Sequence, residues 1–192
     1  MTLTAVLIGG GQSRRMGLDK AAVLIAGQPL WQRQLQVVRA LEPSTIWVSA
    51  RAVPAWLPPE LDAVLDEAPS RGPLSGVAAA LRRLDTSHLL VLAVDLPQMT
   101  AAHLLYLWSQ ARPGVGIVPQ QGEWFEPLCA VYPAEAARAA DKALSGRDSS
   151  LQGFVRKLQA QARIESYRLE PADEPLYLNM NTPADIPSPI PS

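Results

Sequence analysis

Close to its amino end, at residues 5–20, the chain reads AVLIGGGQSRRMGLDK. The first four residues form a short apolar run typical of a buried strand, and this run leads directly into a loop rich in glycine and cationic side chains. Glycine lets successive backbone N–H groups approach phosphate oxygens, while arginine and lysine add charge that amides supply only in part. A strand that ends in such a loop predicts a binding site for the polyphosphate of a nucleotide.

Two well-known phosphate loops do not match this segment. The dinucleotide fingerprint G-x-G-x-x-G, counted from Gly9, requires glycine where Arg14 stands. The P-loop requires lysine directly after its second glycine, whereas two residues separate Gly17 from Lys20. For the segment taken alone, a flexible turn with a surface pair of basic residues is the simpler alternative.

Short β-branched runs alternate with stretches of helical periodicity along the chain. This alternation predicts a single doubly wound α/β domain over residues 1–186, with a mostly parallel, Rossmann-like sheet covered by helices on both faces. Strands are expected at residues 5–8, 45–48, 63–65, 89–94, 115–118, 128–131 and 164–169. Helices are expected at residues 30–41, 77–84, 101–111, 134–144 and 151–158, followed by a proline-rich, extended tail at 187–192.

Composition narrows the classes of partner. The chain has 192 residues, a formal net charge of −1 and one cysteine. A nearly neutral protein has no general affinity for nucleic acid or anionic membranes, and no apolar run approaches the roughly 20 residues of a membrane-spanning helix.

The first residues lack the basic region of a secretion signal, so a cytoplasmic location is expected. Cys129, within an apolar run, is expected in the core, and His88 and His103 are assigned to structure.

Polar residues accompany the ends of several predicted strands. Ser49 is expected to end the second strand, Asp66 follows the third, and Asp95 closes the run of residues 89–94, which is expected at the centre of the sheet. In a doubly wound sheet, ligands bind outside the carboxyl ends of strands, so these side chains and the glycine-rich loop are expected at one edge. Asp95 is suited to hold Mg²⁺ against nucleotide phosphates, although a strand-end aspartate is also a common turn residue.

Several motifs resemble those of the MobA-like nucleotidyltransferase family. The family's first signature, approximately L-A-G-G-x-S-x-R-M-G-x-D-K, is matched from Ile8 to Lys20, with Gly9 in place of the usual alanine. Its G-P-L-x-G, D-x-P and N-x-N-T-P motifs have counterparts, in the same order, at residues 72–76, 95–97 and 179–183. The resemblance implies a Mg²⁺-dependent enzyme that transfers GMP from GTP to the phosphate of molybdopterin and releases pyrophosphate.

The resemblance also implies roles for individual residues. It places the nucleotide at Ile8, Gly9, Gly10, Gly11, Lys20, Ser49, Asp66 and Asp95. Asp95 would hold Mg²⁺ at phosphate oxygens, Lys20 would neutralise charge near the α-phosphate, and Arg15 would hold the departing pyrophosphate. Asn179 and Asn181 would contact the acceptor, unless their motif is only a corner between a strand and a helix. No protein nucleophile is required, because the acceptor phosphate is already anionic.

The nucleotide base and the acceptor stay open. Guanylyltransferases of the family usually carry asparagine where this chain has Ser49, so CTP is an alternative nucleotide and a sugar phosphate an alternative acceptor. Asp66 could accept hydrogen bonds from N1 and N2 of guanine, or it could be a turn carboxylate. Trp124 and Phe125 could stack on a pterin, but a hydrophobic corner or a dimer contact is the favoured interpretation.

A non-catalytic module that binds nucleotide and hands the cofactor to molybdoenzymes is the alternative from a different functional class. Molybdoenzyme apoproteins or their chaperones would then be protein partners. The same proteins are also possible partners if the chain is the enzyme. Such a module would bind nucleotide without releasing pyrophosphate, and its function would not depend on Asp95.

Overall fold

One long sheet organises the fold, seen in a computed structural model that describes residues 1–9, 20–66 and 70–180. The strands of the described residues are β1 (Leu3–Ile8), β2 (Leu24–Ile25), β3 (Gln28–Pro29), β4 (Thr45–Ala50), β5 (Asp62–Leu65), β6 (His88–Ala93), β7 (Gly116–Gln121), β8 (Trp124–Phe125), β9 (Cys129–Pro133) and β10 (Ile164–Arg168). Its helices are α1 (Leu30–Arg39), α2 (Pro73–Arg83), α3 (Ala101–Gln110), α4 (Ala137–Ser145) and α5 (Leu151–Ala160). Short 3₁₀ turns lie at Lys20–Ala22, Ala134–Ala136 and Glu174–Tyr177.

The main sheet has the order β10-β7-β9-β6-β1-β4-β5, and β8 pairs with β7, while β2 and β3 pair separately. β1 is parallel to β4 and to β6, β4 is parallel to β5, and β10 is parallel to β7. β9 runs antiparallel to both of its neighbours. The predicted α/β fold with a mostly parallel sheet is therefore confirmed, and β6 has the central place expected of it.

Side chains of the central strands alternate between two apolar layers. On β1, Leu3, Ala5 and Leu7 pack in the layer that contains residues of α1 and α3, whereas Val6 and Ile8 pack in the layer of α2, α4 and α5. Every residue of β1 and of β6 is buried. A strand covered on both faces needs apolar residues at successive positions, which is why these two strands read as nearly unbroken apolar runs.

The helix boundaries follow capping residues in the sequence. The Thr100 side chain accepts a hydrogen bond from the backbone N–H of His103 at 3.2 Å and caps α3, as predicted. The predicted helix at residues 134–144 is divided, because a 3₁₀ turn precedes α4 and the N–H of Ala134 bonds to the carbonyl of Ser87 at 3.0 Å. In the described part of the chain, none of the helices is both long and apolar enough to cross a membrane.

Two small hairpins were not predicted. β2 and β3 are joined by Ala26 and Gly27, whose φ angles of 50° and 79° suit a two-residue hairpin turn. β8 folds back on β7, and it buries Phe125 while leaving Trp124 65% exposed. The predicted hydrophobic corner is thus observed for Phe125, whereas Trp124 is exposed and its other interpretations, a dimer contact or stacking on a pterin, stay predictions. Strands of two residues are too short to show a period in the sequence.

The chain reverses its direction of winding beside β1. From β1 it proceeds to β4 and β5 on one side, and α2 then carries it back to β6 on the other side of β1. Ile8 at the end of β1 is in register with Ser49 of β4 and with Ala93 of β6. The carboxyl ends of these strands therefore share one edge, at the topological switch point where doubly wound proteins bind ligands.

Two neighbouring leucines of α3 test the assignment of the apolar layers. Leu104 is fully buried, whereas Leu105 is 43% exposed. We expect Leu104→Ala to lower the free energy of unfolding by about 2–5 kcal/mol, because it leaves a cavity in the layer beneath α3. Leu105→Ala should cost less than about 0.5 kcal/mol. Urea denaturation measures both variants, and equal losses would contradict the assignment.

Candidate active site

Backbone hydrogen bonds connect the ends of β1, β4 and β6 at the switch point. The N–H of Gly9 donates to the carbonyl of Ser49 at 2.9 Å, and the N–H of Val94 donates to the carbonyl of Ile8 at 3.3 Å. Ser49 lies within β4, one residue before its end, and Asp95 comes two residues after β6. The sequence predicted Ser49 at the end of its strand and Asp95 directly after its strand. Each prediction is in error by one residue, and both residues lie at the predicted edge of the sheet.

Gly9 lies against an aromatic wall. A Cβ atom added at this position would lie 3.3 Å from the side chains of Trp56 and Val48. Trp56 in turn stacks on Trp31, with ring centroids 5.2 Å apart. An alanine here would press on these side chains, so the glycine that replaces the family's usual alanine fits the close approach of Trp56.

Lys20 and Asp95 meet at the switch point. The Lys20 Nζ atom lies 3.4 Å from Oδ2 of Asp95, and the two side chains are 18% and 26% exposed. Lys20 begins the 3₁₀ turn after the glycine-rich loop, and Asp95 follows the central strand. The structure therefore brings together a cation suited to phosphate and a carboxylate suited to Mg²⁺, as the sequence predicted.

The turn that carries Asp95 is held from two directions. The Arg33 side chain of α1 donates to the carbonyl of Pro97 at 2.8 Å, and the Gln34 side chain donates to that of Leu96 at 2.6 Å. From the other side, the N–H of Met180 donates to the carbonyl of Asp95 at 2.9 Å. These contacts fix the backbone of the turn, and sequence analysis did not identify any of them.

The backbone bond between Met180 and Asp95 brings Asn179 close to this turn. Met180 is buried, whereas Asn179 is exposed and lies outside any strand. Gly10, Gly11, Arg15 and Asn181, together with the predicted tail at 187–192, lie outside the described residues.

A second polar cluster surrounds Asp66, after β5. Ser49 Oγ donates to Oδ1 of Asp66 at 3.4 Å, and Ser70 Oγ donates to Oδ2 at 2.9 Å. A Cβ atom added at Gly76 of α2 would overlap Ser49 Oγ and lie 3.1 Å from Oδ1 of Asp66. Neither Ser70 nor a role for Gly76, the second glycine of GPLSG, was predicted from the sequence. The spacing of four residues between Asp66 and Ser70 is the pattern that could have indicated their contact.

A buried polar cluster joins α3 to the 3₁₀ turn at Glu174–Tyr177. Nε2 of His103 lies 2.7 Å from the Tyr177 hydroxyl, and Nδ1 lies 3.6 Å from Oδ1 of Asp173. Burial lowers the pKa of His103, and Asp173 opposes that change. Burial also raises the pKa of the Cys129 thiol to about 12, so this core cysteine is not a thiolate at neutral pH.

The sequence matches a known family over most of its length. Residues 5–163 match the family model described as the MobA-like NTP transferase domain. A protein from Opitutus terrae named "Probable molybdenum cofactor guanylyltransferase" is 35% identical over 186 residues, covering 95% of this chain and 92% of that protein. A protein from Pseudomonas fluorescens named "Molybdenum cofactor guanylyltransferase" is 31% identical over 192 residues, covering 97% of this chain and 92% of that protein.

Solved structures share the fold. Molybdopterin-guanine dinucleotide biosynthesis protein A from Archaeoglobus fulgidus superposes with a TM-score of 0.73 at 23% identity, covering 96% of this chain and 95% of that one. 2-C-methyl-D-erythritol 4-phosphate cytidylyltransferase from Thermus thermophilus superposes with a TM-score of 0.69 at 17% identity, covering 97% and 96%. Since proteins named for different nucleotides have this fold, the fold alone does not select the base.

The two histidines should make the stability of the protein depend on pH. Burial lowers the pKa of both His88 and His103 below 6.5, so the unfolded chain takes up protons first as the pH falls. We therefore expect the free energy of unfolding to be greatest above about pH 6.5 and to decrease from about pH 7.5 to about 5.5. Urea denaturation at both values measures the slope.

Replacement of each histidine separates its contribution from the rest. His88→Gln and His103→Gln should each lower stability at about pH 7.5, because each removes buried hydrogen bonds, and each should flatten the dependence on pH. A slope that stays unchanged in both variants would show that other groups cause it.

Proposed function

The chain belongs to the family of MobA-like NTP transferase domains, and we propose that it transfers GMP from GTP to the phosphate of molybdopterin, with release of pyrophosphate. The observation that carries this proposal is the pairing of Lys20 with Asp95 at the switch point, on the same edge as Asp66. This arrangement supports a nucleotide that extends from its phosphates at β1 and β6 to its base at β5. Relatives named as guanylyltransferases support the choice of GTP.

Asp66 supports guanine over cytosine at the base end of the site. An ionised carboxylate only accepts hydrogen bonds, and guanine presents two adjacent donors at N1 and N2. Cytosine presents an acceptor, N3, beside its amino group. Because N3 and the carboxylate both carry negative charge, they would repel each other. Asp66 is therefore suited to favour GTP, even though Ser49 replaces the asparagine usual in the family.

Mg²⁺ is part of the proposal, with Asp95 as its protein ligand. Nucleotide-bound Mg²⁺ typically takes one or two carboxylates, and phosphates and water supply its other ligands. A single, partly exposed aspartate beside the phosphate end fits that pattern. Within the described residues, no three His, Cys, Asp or Glu side chains gather to hold a metal ion by themselves. When bound, the ion would neutralise charge on the phosphates.

The protein contributes mainly position and charge. An oxygen of the acceptor phosphate forms a bond to the α-phosphorus of GTP, and the bond from that phosphorus to the oxygen shared with the β-phosphate breaks, so that pyrophosphate leaves. Lys20 offsets negative charge as these anions meet, and Arg33 and Gln34 hold the turn of Asp95 in place beforehand. Asn179, next to Met180 at that turn, is the residue proposed to contact the acceptor.

Release of pyrophosphate tests the proposed reaction. With GTP, Mg²⁺ and molybdopterin, we expect release that requires the acceptor, and we expect Asp95→Asn and Lys20→Met each to lower kcat/KM by about 100-fold or more. Asp141→Asn is the matched control, because Asp141 lies in an exposed ion pair with Arg82 on another face. Its rate should equal that of the native chain.

Two results would contradict the proposal. Release from CTP in preference to GTP would keep the mechanism and overturn the choice of base. Binding of GTP without acceptor-dependent release, unchanged by Asp95→Asn, would favour a non-catalytic binding module.

A further inference from the structure

We propose that Ser70 and Ser49 are positioning residues that orient the Asp66 carboxylate toward the donor edge of guanine, with Arg71 anchoring Ser70. The inference rests on the proposed function, because it takes Asp66 as the group that reads the base. It differs from the direct nucleotide contact that the sequence suggested for Ser49. In this arrangement, both serines act on the nucleotide through Asp66.

The two hydroxyls hold opposite oxygens of one carboxylate. Ser70 Oγ lies 2.9 Å from Oδ2 of Asp66, and Ser49 Oγ lies 3.4 Å from Oδ1. The contact with Ser70 has the better hydrogen-bond length, so Ser70 carries more of the orientation. Because one hydroxyl faces each oxygen, rotation of the carboxylate would break both contacts.

The Asp66 carboxylate can still accept hydrogen bonds from the base after both serine contacts are made. Each carboxylate oxygen can accept about two hydrogen bonds, so each retains room for one more donor. Guanine offers two adjacent donors, one for each oxygen. A carboxylate that is oriented before binding loses less freedom when the base arrives, and this increases affinity and selectivity together.

Arg71 connects Ser70 to a second element of the fold. Its Nη1 atom donates to the carbonyls of Leu144 at 2.7 Å and Gly146 at 3.3 Å, at the carboxyl end of α4. Its backbone N–H donates to Ser75 Oγ at 2.8 Å. A cation at the end of a helix satisfies carbonyls that have no partner within the helix. The residue next to Ser70 is therefore tied to α4 and to the first turn of α2.

Gly76 supports Ser49 from the opposite side. Ser49 is only 2% exposed, and its Oγ atom occupies the space that a Cβ atom at position 76 would need. An alanine there must displace the hydroxyl of Ser49 and weaken its contact with Asp66. Gly76→Ala should therefore disturb the Asp66 carboxylate in two ways, through the displaced hydroxyl of Ser49 and through the added Cβ atom itself, 3.1 Å from Oδ1 of Asp66.

Comparison of GTP with ITP tests this inference, because ITP lacks the N2 amino group of guanine. We expect the native chain to bind GTP more tightly than ITP or CTP in calorimetry. Ser70→Ala should weaken GTP binding about 10-fold, with a smaller loss for ITP, so that the ratio of the two affinities decreases. Ser70→Thr keeps the hydroxyl and should retain the native ratio.

Additional variants separate positioning from general damage. Ser49→Ala should decrease the ratio less than Ser70→Ala does, in keeping with the longer contact of Ser49, whereas Gly76→Ala, which also presses on Asp66, should decrease it more than Ser49→Ala does. Ser109→Ala is the matched control, because its exposed hydroxyl bonds to a carbonyl within α3. It should bind all three nucleotides as the native chain does. CTP binding and the thermal midpoint should change little in Ser70→Ala, Ser70→Thr and Ser109→Ala, whereas Gly76→Ala should lower the thermal midpoint because its added methyl group displaces a buried hydroxyl.

The outcomes distinguish the inference from the proposed function. If the native chain prefers GTP, but Ser70→Ala keeps the native ratio of GTP to ITP affinity, the positioning role is wrong and the proposed function stands. If the native chain shows no preference for GTP over CTP and ITP, the assignment of the base to Asp66 fails, and the inference fails with it.

Discussion

The parallel pairing of β1 with β4 on one side and β6 on the other is the constraint on which the candidate site depends. It places Ile8 opposite both Ser49 and Ala93, and backbone hydrogen bonds from Gly9 and Val94 extend the pairing beyond the strand. A shift by one residue would exchange the side chains that β1 contributes to the two apolar layers, so the close packing of both layers favours this register. The loops that follow these strands consequently begin at one edge.

The polar groups at that edge are held by residues that need not touch a ligand. Arg33 and Gln34 fix the turn after β6, and the serines near Asp66 orient its carboxylate. A site built in this way is arranged during folding, so fewer groups have to move when the substrate binds. The helix α1 supports one end of the site, and the connection between β5 and α2 supports the other.

The sequence predicted the structure best at positions where burial or helix capping restricts the type of residue. Apolar runs predicted the doubly covered central strands, and Thr100 predicted the start of α3. The hairpin of β2 and β3 was missed because its strands are only two residues long. The contact of Ser70 with Asp66 was missed because a single serine in a turn has many common roles. Tertiary contacts explain the remaining differences, since the closeness of Gly9 to Trp56 depends on how distant residues pack on the sheet.

A crystal structure with a non-hydrolysable GTP analogue and Mn²⁺ would test the central claim most directly, since the anomalous signal of manganese locates the metal. The site described above predicts the metal at Asp95, the phosphates beside Lys20, and the N1 and N2 edge of guanine within hydrogen-bond distance of Asp66. A nucleotide bound at another edge of the sheet, or a guanine turned away from Asp66, would contradict it.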